Sequence, residues 1–281
     1  MESPSGSSLR PPRLVLRILA SLGRVVVVTS VVLVLYVTLF EHRLIYYPDR
    51  ELSGSPGNDF EDVRFTADDG TPLHGWFMPA GRNEVLIVSH GNAGNISHRG
   101  SMGDFLNDEF GVNVFMYDYR GYGRSDGEPS EEGTYSDIRG AYAYIRSRGY
   151  QPSDIYLMGQ SLGSAIAVDL AAEEELGGIV LEAPFTNVAA IARQVFHVPL
   201  DWVIRTRYDS LSKIDRILAP VAFIHATDDP VIPVELGREL FEAARQPKIF
   251  FEIQAEIHEG AIMALGLERL QELRDFLFDE R

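Results

Sequence analysis

The sequence contains no cysteine at all. Such a chain has no disulfide, no thiolate metal ligand, no cysteine nucleophile and no cysteine to carry an acyl anchor. Basic residues are also scarce: 25 Lys and Arg stand against 41 Asp and Glu, a formal net charge of −16. Because nucleic-acid binding depends on neutralising phosphates with basic side chains, we expect no nucleic-acid partner.

Internal repeats and low-complexity stretches are missing as well, and apolar residues make up 45% of the chain, as in ordinary globular proteins. The residues that follow the N-terminal 45 are numerous enough for one large domain with a buried core. No pair of histidines is spaced as metal ligands on one predicted element. We therefore expect neither a metal nor a cofactor. The sequence does not indicate an oligomeric state.

Charged residues are absent from residues 25–40, which are rich in valine and leucine. A helix over this run, extended back to Ile18, is long enough to cross a hydrocarbon layer of about 30 Å, with Arg24 reaching the headgroups. The residues after the run, 41–43, are nearly balanced in charge. Four arginines precede it: Arg10, Arg13, Arg17 and Arg24. The positive-inside rule then predicts a cytoplasmic N-terminus and a domain on the other side of the membrane.

A cleaved signal peptide is the alternative for this segment. Signal peptides have an apolar core of about 7–15 residues followed by a small-x-small cleavage site. The residues after Val37 are Thr, Leu, Phe, Glu and His, which offer no such site. We therefore predict a retained anchor over residues 1–45, with a signal peptide second and a buried core helix third.

Beyond residue 58, strand-like and helix-like segments alternate. Apolar runs alternating with helices predict a mostly parallel sheet covered on both faces. Asp69 and Gly70 between the first two runs indicate a hairpin, so that edge of the sheet should be antiparallel. The predicted strands are 63–66, 74–78, 85–90, 112–117, 155–158, 179–181, 221–224 and 249–253, and the predicted helices are 135–148, 162–175, 234–244 and 265–278.

The pattern Gly159-Gln160-Ser161-Leu162-Gly163 stands between a predicted strand and a predicted helix. A serine on such a sharp turn is exposed to a base, and the turn leaves no room for side chains two residues before and after it. The same geometry aims the backbone N–H of Leu162 at a developing oxyanion. The sequence thus predicts an α/β-hydrolase fold with Ser161 as nucleophile.

A histidine base and a carboxylate should follow this serine along the chain. His258 follows the last predicted strand, where it can reach back over the sheet edge to the serine, so we predict it as the base. The carboxylate must orient the imidazole. Asp228 and Asp229 end the preceding strand, and Glu182 is a more remote candidate whose alternative role is structural.

A glycine-containing loop, residues 90–95, follows the third predicted strand. Such a loop lets the backbone approach the reacting carbonyl, and one of its N–H groups completes the oxyanion hole. We predict Asn92 as this donor, beside Leu162. His90 is predicted to be structural and to hold the loop.

Three segments together resemble a known family: residues 90–95 (His-Gly-Asn-Ala-Gly-Asn), 117–123 (Tyr-Asp-Tyr-Arg-Gly-Tyr-Gly) and 159–163. They are similar to the α/β-hydrolases related to the bud-emergence protein of yeasts, a group that includes membrane-bound hydrolases and protein depalmitoylases. The N-terminal helix followed by residues 43–48 is similar as well. Because the chain has no cysteine to acylate, it looks closer to the helix-anchored members.

The family's acid loop resembles His-Gly-x-x-Asp-x-x-x-Pro, and this resemblance selects Asp229. Ala226 stands where the family has glycine, and bulky residues precede His258 where small ones are expected. The predicted site residues indicate hydrolysis of an ester or thioester through an acyl-enzyme, on a small acyl substrate, and a shallow site near a bilayer suggests acyl lipids or lipidated molecules. A peptidase or amidase on the same fold, and an inactive scaffold that binds a partner, are the alternatives.

We predict residues 46–281 as the catalytic domain, with a small lid insertion near 186–218. Four apolar residues of the insertion are candidates for a lid or acyl pocket, although core packing explains them equally well: Phe196, Leu200, Trp202 and Ile204.

Overall fold

The structure, a computed structural model, describes residues 13–196 and 202–278. Arg10 of the expected cytoplasmic segment and Leu200 of the expected lid lie outside the described residues. The side chains of Arg13 and Phe196 lie outside them as well.

Helix α1 (Arg13–Ile45) contains the long apolar run. Its 33 residues extend about 50 Å at 1.5 Å per residue. Among the described helices, it is the one that is long and apolar enough to cross a membrane, over Arg17–Ile45. Most of its large apolar side chains are exposed, as in Leu39 at 72%. A helix with this surface is not the buried core helix that was the third alternative.

Eight strands form one sheet with helices on both faces, as predicted. The strands in the described part of the chain are β1 (Tyr47–Pro48), β2 (Glu61–Thr66), β3 (Pro72–Met78), β4 (Val85–Ser89), β5 (Ala93–Gly94), β6 (Asn113–Asp118), β7 (Ile155–Gln160), β8 (Gly178–Glu182), β9 (Val221–Ala226) and β10 (Lys248–Ile253). The order of strands in the sheet is β10-β9-β8-β7-β4-β6-β3-β2, in which β3 is antiparallel to β2 and β6 and all other pairs are parallel.

The central strands are apolar at consecutive positions because the sheet is buried on both faces. In β4, Val85 and Ile87 belong to one buried apolar cluster, and Leu86 and Val88 belong to the cluster on the other face. The helices that cover the sheet are α2 (Gly100–Phe110), α3 (Glu131–Ser147), α4 (Leu162–Ala171), α5 (Val188–Phe196), α6 (Val234–Ala243) and α7 (Leu267–Phe278).

Helix α2 was not predicted. It contains Gly100 and Gly103, and glycine disfavours a helix by about 1 kcal/mol relative to alanine. The structure shows why glycine is needed: a Cβ on Gly103 would lie 2.6 Å from the sulfur of Met116 and 2.9 Å from that of Met78. The helix therefore packs against the sheet more closely than a side chain at position 103 would allow.

Two very short strands were not predicted either. Strands β1 and β5 pair in parallel, with Tyr47 opposite Ala93 and Pro48 opposite Gly94. This pairing joins the residues that follow α1 to the loop that follows β4. The C-terminal ends of the parallel strands β4, β7, β8, β9 and β10 meet at one edge of the sheet, where α/β folds bind their ligands.

Candidate active site

Ser161 lies on the sharp turn between β7 and α4, with φ 50° and ψ −115°. A non-glycine residue in such a conformation costs about 1–3 kcal/mol and persists where its surroundings impose it. Here both flanking glycines are required. A Cβ on Gly159 would lie 2.4 Å from the Gly163 carbonyl oxygen, and one on Gly163 would lie 2.0 Å from the Ser89 carbonyl oxygen.

The structure brings Ser161, His258 and Asp229 into one hydrogen-bonded line. His258 Nε2 lies 2.9 Å from Ser161 Oγ, and His258 Nδ1 lies 2.8 Å from Asp229 Oδ2. A carboxylate can only accept, so Nδ1 carries the proton that it donates to Asp229. Nε2 is then free to accept from the serine hydroxyl. The three residues come from the ends of β7, β9 and β10, at the edge where the strand pattern places them.

Asp229 is held as a carboxylate by its neighbours. Burial alone would raise its pKa, but donation from His225, His258 and the Ile232 N–H lowers the pKa well below its ordinary value. Its Oδ1 also accepts from the Val231 N–H at 2.8 Å. The neighbouring Asp228 is exposed to solvent. Of the two candidates, Asp229 is therefore the one that faces the histidine.

Glu182 has the structural role that was its alternative to orienting the imidazole directly. It is fully buried, and its carboxylate accepts from the N–H groups of Gly260 and Ile262, at 2.7 and 3.1 Å, and from the Gln160 amide at 3.0 Å. These bonds tie the loop that follows His258 to the end of β8. Glu182 thus orients the loop that carries the histidine, while Asp229 bonds the imidazole itself.

His90 fixes one peptide of the loop that follows β4. Its Nδ1 lies 2.6 Å from the Gly91 carbonyl oxygen and donates to it. Burial and the nearby Arg99 guanidinium hold the pKa of His90 well below its usual range, so the ring is neutral. In a trans peptide the N–H points opposite to the C=O. By holding the Gly91 carbonyl, His90 therefore orients the N–H of Asn92.

Asn92 is bound to the end of α1. Its side-chain amide donates to the Ile45 carbonyl at 2.7 Å, and its own carbonyl accepts from the Tyr47 N–H at 3.0 Å and the Tyr122 hydroxyl at 2.7 Å. The β1–β5 pairing extends this contact. The short strands after the helix carry no periodic signal, so the sequence did not reveal that they hold this loop.

An ion pair joins this loop to the histidine loop. The Arg99 guanidinium lies 3.0 Å from Glu259 Oε1 and also donates to the Asn95 carbonyl at 3.2 Å.

The bulky residues before His258 do not prevent its alignment, because Glu256 faces solvent. Ala226, in place of the family glycine, is buried in β9.

The predicted lid residues divide into two kinds. Ile204 is buried, whereas Trp202 is 73% exposed. Leu200 and the side chain of Phe196 are outside the described residues. An acyl pocket built by these four residues therefore stays a prediction.

Comparison with known proteins places this chain in a family. The family model described as Serine aminopeptidase, S33, matches residues 81–212, a range that contains Asn92 and Ser161 and ends before Asp229 and His258. The protein YfhR of Salmonella typhi is 37% identical over 224 residues, which are 72% of this chain and 76% of that one. Alpha/beta hydrolase domain-containing protein 17B of Homo sapiens is 33% identical over 197 residues, 70% of this chain and 67% of that one.

Among solved structures, the esterase Pf2001 of Pyrococcus furiosus is similar with a TM-score of 0.69 at 20% identity, over 82% of this chain and 98% of that one. At 20% sequence identity, this structural similarity establishes the fold alone. Together with the relatives that span two thirds or more of both chains, it shows that this chain belongs to the α/β-hydrolase superfamily and is a hydrolase.

Proposed function

We propose that the protein is a serine hydrolase that cleaves an ester or thioester through an acyl-enzyme, with Ser161, His258 and Asp229 as its triad. The observation that carries this proposal is the hydrogen-bonded line from the serine hydroxyl through the imidazole to the buried carboxylate. A hydroxyl is a weak nucleophile unless an adjacent base takes its proton, and this geometry supplies that base.

In the proposed first half-reaction, Ser161 Oγ attacks the substrate carbonyl carbon while His258 Nε2 takes the hydroxyl proton. The tetrahedral intermediate collapses, its bond to the leaving oxygen or sulfur breaks, and the imidazolium returns the proton to that leaving group. In the second half, His258 takes a proton from a water whose oxygen attacks the acyl carbon. This second tetrahedral intermediate collapses, the bond between Ser161 Oγ and the acyl carbon breaks, and the imidazolium returns the proton to Oγ. The products are the carboxylic acid and the free serine, with Asp229 stabilising each imidazolium.

The backbone N–H groups of Leu162 and Asn92 are the proposed oxyanion donors. Leu162 is the first residue of α4, where the helix dipole favours negative charge. His90 supports the role of Asn92, because it orients the peptide that carries this N–H. Losing one oxyanion donor typically costs about 100- to 1000-fold in kcat.

We also propose that α1 is a retained membrane anchor, with the N-terminus in the cytoplasm and residues 46–281, the catalytic domain, on the other side. Three contacts support retention. Glu41 accepts from the backbone of residues 205–206, His42 Nε2 donates to the Pro129 carbonyl at 2.7 Å, and the Ile45 carbonyl accepts from Asn92. Cleavage at or after Ile45 would remove all three contacts from the domain.

The proposed substrates are acyl lipids or lipidated molecules, because the domain would stand directly at the bilayer surface. The esterase among the similar structures supports ester cleavage by this fold, and the description of the matching family model favours a second candidate, an aminopeptidase or amidase.

A panel of acyl esters, acyl thioesters and aminoacyl amides separates these candidates. Preference for long acyl chains over short ones tests the lipid proposal.

Labelling of the detergent-solubilised full chain with a fluorophosphonate probe tests the nucleophile. We expect the wild type and the control Ser101→Ala, which removes an exposed serine, to be labelled. We expect Ser161→Ala to stay unlabelled and to lose about a million-fold in kcat. A folded wild-type chain that does not react would instead support the inactive scaffold.

A further inference from the structure

The chain has two tryptophans, and the structure places them in opposite environments. Trp76 is 2% exposed and packs in the core, whereas Trp202 is 73% exposed. Single exposed apolar residues are common on protein surfaces, so the exposure of Trp202 gains meaning from its position near the end of α1. Trp202 belongs to the segment 202–207, called here the junction segment, within the proposed lid insertion.

The junction segment is bonded to the end of the apolar helix. Glu41 Oε1 accepts from the N–H groups of Arg205 and Thr206, at 2.9 and 2.6 Å. Trp202 precedes Arg205 by three residues, which span at most about 11 Å of chain. If α1 crosses a bilayer, its last apolar turn and Glu41 mark the membrane surface. Trp202 then lies within reach of that surface.

Partial burial along α1 follows one face near its C-terminal end. Val34, Val37 and Thr38 are half-buried and Glu41 is buried, while Leu33 and Leu39 on other faces are exposed. Residues three and four apart share a helix face, so the covered stripe is the one that carries Glu41. This is the side on which the junction segment is bonded.

The charge around Trp202 differs from that of the chain. Residues 191–208 contain three arginines and one aspartate, a formal balance of +3 − 1 = +2, whereas the whole chain carries −16. Arg205 and Arg207 are exposed. Both of these arginines follow Trp202 in the junction segment. Tryptophan and arginine side chains are typical of the headgroup level, where the ring enters the boundary and the guanidinium contacts phosphate.

We propose that Trp202 inserts into the headgroup region of the bilayer that α1 crosses, so that the junction segment presents the catalytic domain to lipid. This inference rests on the proposed anchor and names the surface through which the proposed enzyme takes its substrate. The last turn of α1 binds the junction segment through Glu41 and the Asn92 loop through Ile45. The junction segment and the loop of the candidate oxyanion donor are therefore bonded to the same end of α1, at two residues four positions apart.

The test uses the full chain in phosphatidylcholine vesicles and the emission of Trp202, obtained as the difference between the wild type and Trp202→Phe. Trp76 contributes equally to both because it is buried. We expect lipids brominated near the headgroup to quench about half or more of this difference, lipids brominated near the chain ends to quench less, and aqueous acrylamide to quench little. Glu41→Ala, which releases the junction segment from α1, should reduce the quenching by bromine.

Activity supplies a second readout. Arg205→Glu, which reverses an exposed charge of the junction segment and keeps the backbone N–H that Glu41 accepts, should lower hydrolysis of a long-chain ester held in the vesicles about tenfold and leave hydrolysis of a soluble short-chain ester unchanged. If the chain floats with vesicles but Trp202 is quenched by acrylamide and not by bromine, the inference is overturned and the anchor stands. If the chain does not float with the vesicles, both the inference about Trp202 and the proposed anchor fail. Absence of any esterase activity removes the proposed function but not the result from fluorescence.

Discussion

The side-chain amide of Asn92 donates a hydrogen bond to the carbonyl of Ile45, the last residue of α1, at 2.7 Å. The residue proposed to supply an oxyanion donor is thus held by the end of the proposed membrane helix. Helix C-termini leave carbonyl groups without intrahelical partners, and this amide satisfies one of them. The contact stabilises the helix end and the active-site loop at once.

Asn92→Ala tests this contact, because alanine keeps the backbone N–H and removes only the amide that binds Ile45. A displaced oxyanion donor weakens transition-state binding more than ground-state binding. We expect kcat for a soluble ester to fall about 10- to 100-fold with KM nearly unchanged. Steady-state kinetics measure both constants.

Asn58→Ala, which changes an amide bonded to Asn107 and Asp108, is the control and should keep wild-type kinetics. A rise in KM alone would contradict the positioning role.

Asp229→Asn and Asp228→Asn form a matched pair at adjacent positions. Asparagine at 229 can donate to His258 Nδ1 and thereby favours the wrong tautomer, so we expect kcat to fall about 10,000-fold. Asp228 is exposed, and its amide variant should keep activity within about twofold of the wild type. Hydrolysis of a chromogenic ester measures both. Equal losses in the two variants would refute the assignment of Asp229.

Glu182→Gln tests the buried carboxylate through the pH dependence of stability. Burial raises the pKa of Glu182 above its ordinary value, although the N–H groups of Ile262 and Gly260 and the Gln160 amide lower it. The folded state then binds this proton more tightly than the unfolded state. The free energy of unfolding therefore falls as pH rises from the ordinary glutamate pKa to the folded one. In the Glu182→Gln variant, this contribution to the change of the unfolding free energy with pH should be absent.

Urea unfolding from acidic to neutral pH measures that slope, with Glu256→Gln, an exposed change in the same loop, as the control. The glutamine side chain turns one acceptor into a donor that faces the N–H of Gly260 or Ile262. We expect kcat to fall about tenfold or more, because the displaced loop carries His258. Unchanged kcat with the slope removed would mean that Glu182 stabilises the fold without orienting the histidine.

Gly163→Ala tests the packing of the nucleophile turn. Its Cβ would lie 2.0 Å from the Ser89 carbonyl oxygen, a backbone atom that cannot move aside. We expect a loss of about 1–3 kcal/mol or more in the free energy of unfolding, measured in urea. Gly266→Ala, whose Cβ would meet nothing within 4 Å, should change stability by less than about 1 kcal/mol. Similar stability of the two variants would show that the turn has room for a side chain.

Local patterns predicted much of this protein. The eight sheet strands, the antiparallel edge at Asp69–Gly70 and the strand–turn–helix around Ser161 each depend on neighbours in the sequence. The resemblance of the acid loop selected Asp229 over Asp228, and the structure places the selected residue beside His258. Helix α2 was missed because its glycines lower the helix signal, and the reason for Gly103 lies in its packing against Met116 and Met78.

By itself, the sequence determined the fold, the apolar helix and the residue types that bear the chemistry, because periodicity and short motifs are properties of neighbouring residues. Tertiary structure alone decided that Glu182 bonds the loop of position 258, that Asn92 bonds Ile45, and that Glu41 bonds the junction segment. These partners stand between 47 and 165 positions apart in the chain. Such contacts depend on how the folded elements meet in space, which no local pattern encodes.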